Sequence, residues 1–381
     1  NSWQNDKMFG KCEPFKLEFF TGDNEAHSTN MFWLPTYAYN VGDKHMFGFT
    51  FHNYSFLAPK FLYRVTPMYS TNGRTLSGVA DLSYAMFPKK FATETAIGLG
   101  ARKFNTHEED DARGTGYYAL TPYFQMKMKN RKAYSPWMAD AQIKGLYRSD
   151  YHNGNKTTTL GGQLAIHFDY KTRDLKWNNE IMNEAVDVSS GKNFTRTMAS
   201  SMLSYRYMKQ KSDKWIEIRG FAGNNWSHFN SDINDESTKM AFSGADGSQD
   251  WFFEDVAFNR QPTQGDYRSV RRENMGGFKN SSGFGTSNYW MTSGNVYLEL
   301  PYIPFFGLFG DAGIYYNGFQ TVTAMDAGVG IRLGQVFRAY YPFYMTSNLN
   351  NGLSGLKEIE KVRFSIHLNF LERPFQIQSF I

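Results

Sequence analysis

Apolar and polar side chains alternate one by one along most of this chain. The plainest case is the last: Val362, Phe364, Ile366, Leu368 and Phe370 fall on one side of residues 361–370, and Lys361, Arg363, Ser365, His367 and Asn369 on the other. Successive side chains of a strand point to opposite faces, so this segment has one wholly apolar face and one wholly polar face. Segments of this kind, roughly 10 residues long, recur through the sequence, and that is the length of a tilted membrane-crossing strand. The pattern predicts strands over residues 31–40, 45–54, 60–69, 76–86, 91–104, 116–129, 136–148 and 156–170. Eight more follow over 175–186, 193–208, 214–224, 288–300, 305–316, 323–333, 336–346 and 361–370.

Some of these are hard to misorient. Phe47, Phe49 and Phe51 alternate with Gly48, Thr50 and His52, and Leu164, Ile166, Phe168 and Tyr170 with Gln163, Ala165, His167 and Asp169. The ninth and tenth strands alternate more weakly, although Leu203, Tyr205 and Tyr207 still stand against Ser204 and Arg206. Asn72-Gly73 marks a tight hairpin. Sixteen strands is an even number, as single-chain bacterial barrels have, and the connections after even strands are mostly short (87–90, 171–174, 301–304). Short turns belong in the periplasm and long loops outside, so both ends are expected to be periplasmic, and residues 225–287 form the sixth outer loop. The expected fold is therefore all-β: a transmembrane antiparallel β-barrel of about sixteen strands over 31–370, with that loop folded into the lumen. Residues 1–30 carry no sustained period and read as a lead-in, 371–381 as a periplasmic tail, and the strand at Val362 to Phe370 as the one that closes the barrel.

Composition agrees with this. The mean hydropathy of -0.54 would suit a soluble protein, yet 34 Phe, 24 Tyr and 8 Trp are many for one. Alternating lumen and lipid positions cancel in any window average. No run approaches 18 apolar residues, which excludes a helical span, and in lipid a closed sheet is the other way to satisfy the backbone. The net charge of +5 is spread over turns and polar faces, giving no basic stripe for nucleic acid while suiting anionic lipid headgroups. Cys12 is the single cysteine, so no disulfide forms within the chain. Asn1 is not preceded by a basic and apolar leader, so an exported protein with this sequence is expected to be a mature product or a piece of a longer chain.

Phe309, Gly310, Asp311, Ala312 and Gly313, followed by Gly328-Val329-Gly330-Ile331-Arg332-Leu333, resemble the carboxy-terminal barrel of the BamA and TamA type of outer-membrane insertase superfamily. The resemblance implies that Asp311 faces the lumen and holds the tip of the sixth loop inside the barrel. Alternation puts Phe309, Asp311 and Gly313 on one face. The family's tip carries an Arg before its Gly-Phe pair, and here two candidates stand. Gly276-Gly277-Phe278-Lys279 lies in the loop but has Gly276 in the Arg position, whereas Ile218-Arg219-Gly220-Phe221 keeps the Arg within a strand. On that strand Arg219 can face Asp311 or Glu217. Either way a cation near Asp311 is expected, because an isolated buried carboxylate is expensive.

A second set of scattered positions (Leu34-Pro35, Tyr39-Asn40, Asp43, Met46, Gly48, Asn53, Pro67-Met68-Tyr69, Leu76-Ser77-Gly78 and Phe252-Phe253-Glu254-Asp255) is similar to the barrel appended to gluzincin-type zinc aminopeptidase-like proteins. This resemblance implies a periplasmic metallopeptidase-like domain outside the present sequence.

No catalytic or metal site is expected in this chain. A gluzincin needs two His one helical turn apart with a Glu between, and His107-Glu108-Glu109-Asp110 lacks the second His. The remaining histidines are scattered, and His52, His167 and His367 line polar faces. Residues 108–111 read as a solvated acidic loop, and Asp169, Arg206, Asp326 and Arg332 as a lumen charge network. No cofactor is called for. The expected partners are outer-membrane lipids, with other outer-membrane or periplasmic proteins as further candidates. Three functions remain open: a membrane anchor or docking module for a periplasmic domain or larger complex, a protein insertion or translocation barrel, and a solute porin.

Overall fold

The computed structural model describes residues 15–20, 29–40, 42–55, 59–88, 90–105, 115–130, 134–152, 154–209, 213–227, 238–242, 251–252, 275–279, 285–333, 337–351 and 362–366. The first part of the wall comprises β1 (Phe15–Phe19), β2 (Thr29–Asn40), β3 (Lys44–His52), β4 (Phe61–Ser70), β5 (Leu76–Met86) and β6 (Ala92–Phe104). The middle is built by β7 (Thr115–Met128), β8 (Trp137–His152), β9 (Asn155–Lys171), β10 (Leu175–Val188), β11 (Lys192–Met208) and β12 (Lys214–Ser227). Two short strands, β13 (Met240–Ala241) and β14 (Thr286–Ser287), pair with each other in the sixth loop. The wall resumes with β15 (Trp290–Glu299), β16 (Phe306–Tyr316), β17 (Thr321–Leu333), β18 (Phe337–Met345) and β19 (Arg363–Ile366), with one short helix, α1 (Ser347–Asn351), between the last two.

The wall is one 17-stranded sheet of outer-membrane barrel type. From β2 onward each wall strand is antiparallel to the next, and β12 passes directly to β15 across the long loop. All sixteen expected strands are there. The hairpin between β8 and β9 is taller than its sequence suggests, because the ladder continues to His152↔Asn155 over Gly154, whose φ of 85° suits a tight turn. Side chains sort as the alternation requires. Phe47, Phe49, Ile97, Leu99, Ile143, Leu164 and Phe168 are exposed on the outside, while Thr50, Arg64, Gln163, Glu184 and Asp311 are buried on the inside.

The lead-in differs from its reading. Phe15–Phe19 forms β1, which pairs in parallel with β2 from Phe15↔Thr29 to Phe19↔Trp33. Five residues are too short a window to show a period, but the pattern is there in miniature: Leu17 and Phe19 are exposed, with partly buried Lys16 and Glu18 between. Phe19 meets Trp33 edge-on at 5.3 Å, and Phe20 N donates to Trp33 O at 2.9 Å. Of the expected closing strand, Arg363–Ile366 forms β19 against β18, with Phe364 opposite Ala339 and Ile366 opposite Phe337. Val362 is partly buried, and Leu368, Phe370 and the tail 371–381 lie outside the described residues.

Asp43, in the turn between β2 and β3, gathers the neighbouring connections at that end of the wall. Its wholly buried carboxylate accepts from Asn40 Nδ2 (2.9 Å), Ser77 Oγ (3.0 Å), and Asn105 N and Nδ2 (2.9 and 2.8 Å). Its backbone carbonyl accepts from Ser70 Oγ and Asn72 N. Four donors are a neutral way to stabilise a buried carboxylate. Asp43→Ala would strand those donors, at about 1–3 kcal/mol for each one left buried and unmet. We expect a lower unfolding temperature, read from heat-modifiable gel mobility, together with faster amide exchange at residues 70–75; an unchanged midpoint would remove Asp43 from this role.

Candidate functional site

The inward face of β16 carries Gly307, Phe309, Asp311 and Gly313. Register sets Asp311 opposite Asn295 on β15 and Asp326 on β17, so its side chain stands among wall residues, fully buried. A carboxylate in that position needs a cation and hydrogen bonds. The sixth loop supplies most of them. Lys279 Nζ donates to Asp311 Oδ1 at 2.7 Å and Lys279 N to Oδ2 at 2.9 Å, while Asn295 Nδ2 adds a bond to Oδ1 at 3.0 Å. Lys279 Nζ also reaches Gly277 O at 3.1 Å, which fixes its direction.

The loop arrives there as a small piece of sheet. The β13–β14 pair is extended by Phe242 N to Gly285 O (2.9 Å). Residues 275–279 then lie against β13 through Gly276 N to Ala241 O (3.2 Å) and Phe278 N to Phe242 O (2.8 Å). Ser293 Oγ on β15 donates to Gly276 O at 2.6 Å, tying the tip to the wall. Phe278 stacks on Phe242 at 4.5 Å, and Tyr315 meets Phe242 edge-on at 5.4 Å. Met182, Met198, Phe221, Met240 and Met291 complete this buried cluster, so the lumen face here is apolar where a loop covers it.

Two glycines are required by close approach. A Cβ on Gly276 would stand 2.9 Å from Phe242 Cα, which accounts for glycine where the resemblance anticipates arginine. Gly277 has φ +77° and its Cβ would stand 2.6 Å from Arg219 Nη1. The two candidates for the tip thus meet at one place: Gly276-Gly277-Phe278-Lys279 comes down from the loop and Arg219 comes in from β12. Gly313 makes room as well, since its Cβ would be 2.5 Å from the Phe242 ring.

Phe309 is on the same face but joins a different cluster. It packs edge-on to Tyr340 at 5.6 Å, beside Tyr297, over which the Arg332 guanidinium lies at 3.4 Å. Arg332 pairs with Glu217, and Arg206 with Asp174 and with Asp213. A further buried pair, Arg196 Nε to Glu184 Oε2 at 2.5 Å, is joined by Gln163 Nε2 at 3.0 Å from Glu184 Oε1.

Alternation within the wall could not reveal where the loop docks a second time. Trp251 and Phe252 are buried with Tyr117, Leu146, Val186, Val188 and Phe194, with Phe194 at 6.0 Å from Trp251 and Phe252 Cζ 3.2 Å from the Cβ position of Gly161. The sixth loop therefore touches the lumen wall through Trp251 and Phe252 at β7–β11, as well as through Phe242 and the tip at β9–β17. Residues 253–255 of the second resemblance lie outside the described residues. Among the described residues no group of three or more His, Cys, Asp or Glu is placed to hold a metal ion. Chemically, the Asp311 site is a clasp, an ion pair with directed hydrogen bonds between a loop and a wall.

No protein-family model and no curated protein matches the chain. Among solved structures it is similar to CdiB from Acinetobacter baumannii, at 10% identity and a TM-score of 0.37 over 83% of this chain and 57% of that one. It is also similar to the copper transporter OprC, at 10% identity and a TM-score of 0.32 over 81% and 51%. The chain thus spans little more than half the length of either.

Removing one partner of a buried ion pair costs about 3–5 kcal/mol, far more than replacing both by apolar groups. Lys279→Met should therefore release the tip, raising single-channel conductance in planar bilayers and protease cleavage near residues 275–279. Lys279→Met with Asp311→Leu should recover part of the loss. Conductance equal to wild type in the single variant would mean that the clasp does not hold the loop.

Proposed function

We propose that this chain is the barrel of a Gram-negative outer-membrane protein that inserts or translocates other proteins at its seam, between β2 and β19. The observation that carries this reading is the edge of β2. Residues Phe32 and Trp33 pair with β3 on one side and with β1 on the other, so over Thr29–Trp33 the second edge is held by a five-residue parallel strand. The last wall strand cannot use that stretch while β1 is in place. A short parallel pairing is among the weaker ways to cover an edge, and a removable strand at the seam is what a barrel needs if an incoming strand is to add there by main-chain pairing.

The other readings gain less support. A porin needs an open lumen, whereas the sixth loop is packed across this one. The anchor role implied by the second resemblance asks nothing of the seam, so β1 does not favour it.

Leu17 and Met31 are opposite each other across β1 and β2. In a Cys12→Ser background, Leu17→Cys with Met31→Cys should trap the seam strand on oxidation. We expect proteoliposomes carrying the oxidised form to lose most of their ability to insert an unfolded barrel substrate, and reductant to restore it. Equal insertion by oxidised and reduced forms would defeat the seam reading.

A further inference from the structure

On most strands the outward positions are large and apolar; β10, β11 and β12 keep Trp177, Ile181, Leu203, Tyr205, Ile218 and Trp226 outward but break the pattern between them. There the outward residues include Asn179, Asn183, Thr197, Ser201 and Asn224, interspersed with Ala199, Gly220 and Ala222. Register joins them into one patch: Asn179↔Ser201↔Gly220 in one row, Ile181↔Ala199↔Ala222 in the next, and Asn183↔Thr197↔Asn224 above.

The patch is wired. Trp177 Nε1 donates to Ser201 Oγ at 2.9 Å, and Ser201 Oγ to Asn179 Oδ1 at 2.8 Å. Trp226 Nε1 donates to Thr197 Oγ1 at 2.8 Å, and Thr197 Oγ1 to Asn183 Oδ1 at 2.6 Å. Each ladder runs from a tryptophan through a hydroxyl to an asparagine. Asn179 then passes its amide hydrogen to Phe168 O at 3.2 Å. The upper ladder does not finish: among the described residues Asn183 Nδ2 finds no acceptor, and the Asn224 side chain makes no hydrogen bond.

An unmatched amide facing hydrocarbon costs about 2–7 kcal/mol, and acyl chains offer it neither donor nor acceptor. Something other than lipid tails has to cover this face. The open groups are carboxamides, each both donor and acceptor, so the row Asn183–Thr197–Asn224 is complementary to itself. The neighbouring Ala199, Gly220 and Ala222 let a second wall come close. We propose that the outer face of β10–β12 is the interface at which two copies of this chain pack side by side in the membrane, related by a twofold axis. A twofold contact uses the same patch from both copies and closes on itself, so it gives a dimer and not a filament. Inter-chain hydrogen bonds of this kind in a bilayer are individually modest, and packing of small residues supplies the remainder.

The test uses the full chain in native outer membranes with Cys12→Ser. Ala199→Cys stands in the middle of the patch, and Ile97→Cys on β6 serves as the control. Oxidation should convert Ala199→Cys, but not Ile97→Cys, into a species of twice 43.9 kDa containing this chain alone. Because a cysteine can perturb its own site, native mass spectrometry of the detergent-extracted wild type provides a second reading, with a dimer expected. Asn183→Leu with Asn224→Leu should weaken that dimer about tenfold while leaving the monomer folded. A wild-type monomer in native mass spectrometry, or Ala199→Cys crosslinks exclusively to a different protein, would overturn the proposal.

Discussion

Hydrocarbon offers no hydrogen bonds, so every backbone N–H and C=O in the membrane must find its partner within the protein. That constraint, more than any side-chain contact, decides this structure. It forces each strand against the next in antiparallel register and carries the chain from β12 to β15 despite a loop of some sixty residues between them. It also makes the two ends of the sheet the costly places. The free edge of β2 is where β1 lies, and β1 brings apolar residues to the outside and polar ones to the inside like any other wall strand. A five-residue strand with that pattern is a repair to the wall.

The lumen is governed by a different shortage. Wall side chains from sixteen strands cannot fill the space they enclose, so the chain contributes a segment of itself. Once the loop is inside, its own polar groups must be met, which explains why the tip is bound by Ser293 as well as by Asp311, whose carboxylate Asn295 helps to hold. It also explains Met182, Met198 and Met291 at inward positions, where a water-filled channel would have polar groups. Thioether side chains adapt to the irregular surface of a loop better than branched ones do.

The wall was legible because its signal is a period, and the period follows from which face meets lipid. The two strands that read weakly, β10 and β11, did so for a physical reason: their outward positions hold Asn179, Asn183, Thr197 and Ser201 in place of Leu or Phe. β1 was missed because five residues cannot display a period. Asp311 was legible from its motif and its face, and the need for a cation beside it followed from burial alone. That Lys279 delivers both its ammonium and its backbone N–H was not legible, since it depends on the tip folding back on β13. Nor was the reason for Gly276, which lies in its distance to Phe242. The second docking point at Trp251 and Phe252 was hidden because loop residues carry no alternation to read.

The three features occupy different parts of the wall. Counted from β2, the polar face begins at the ninth of the sixteen strands, β10, half the wall away from β2 and nearly as far from β19. A partner packed there would leave the β1-covered edge facing lipid, so covering one does not block the other. The clasp grips β15 and β16, toward the β19 end, while Trp251 and Phe252 hold the far side. The loop therefore braces the wall across its width, fixed at one side beside the polar face and at the other on the strands leading to the seam. If the seam opens as proposed, strain from its edge passes first into β18, β17 and β16, where Asp311 and Lys279 tie the wall to the plug.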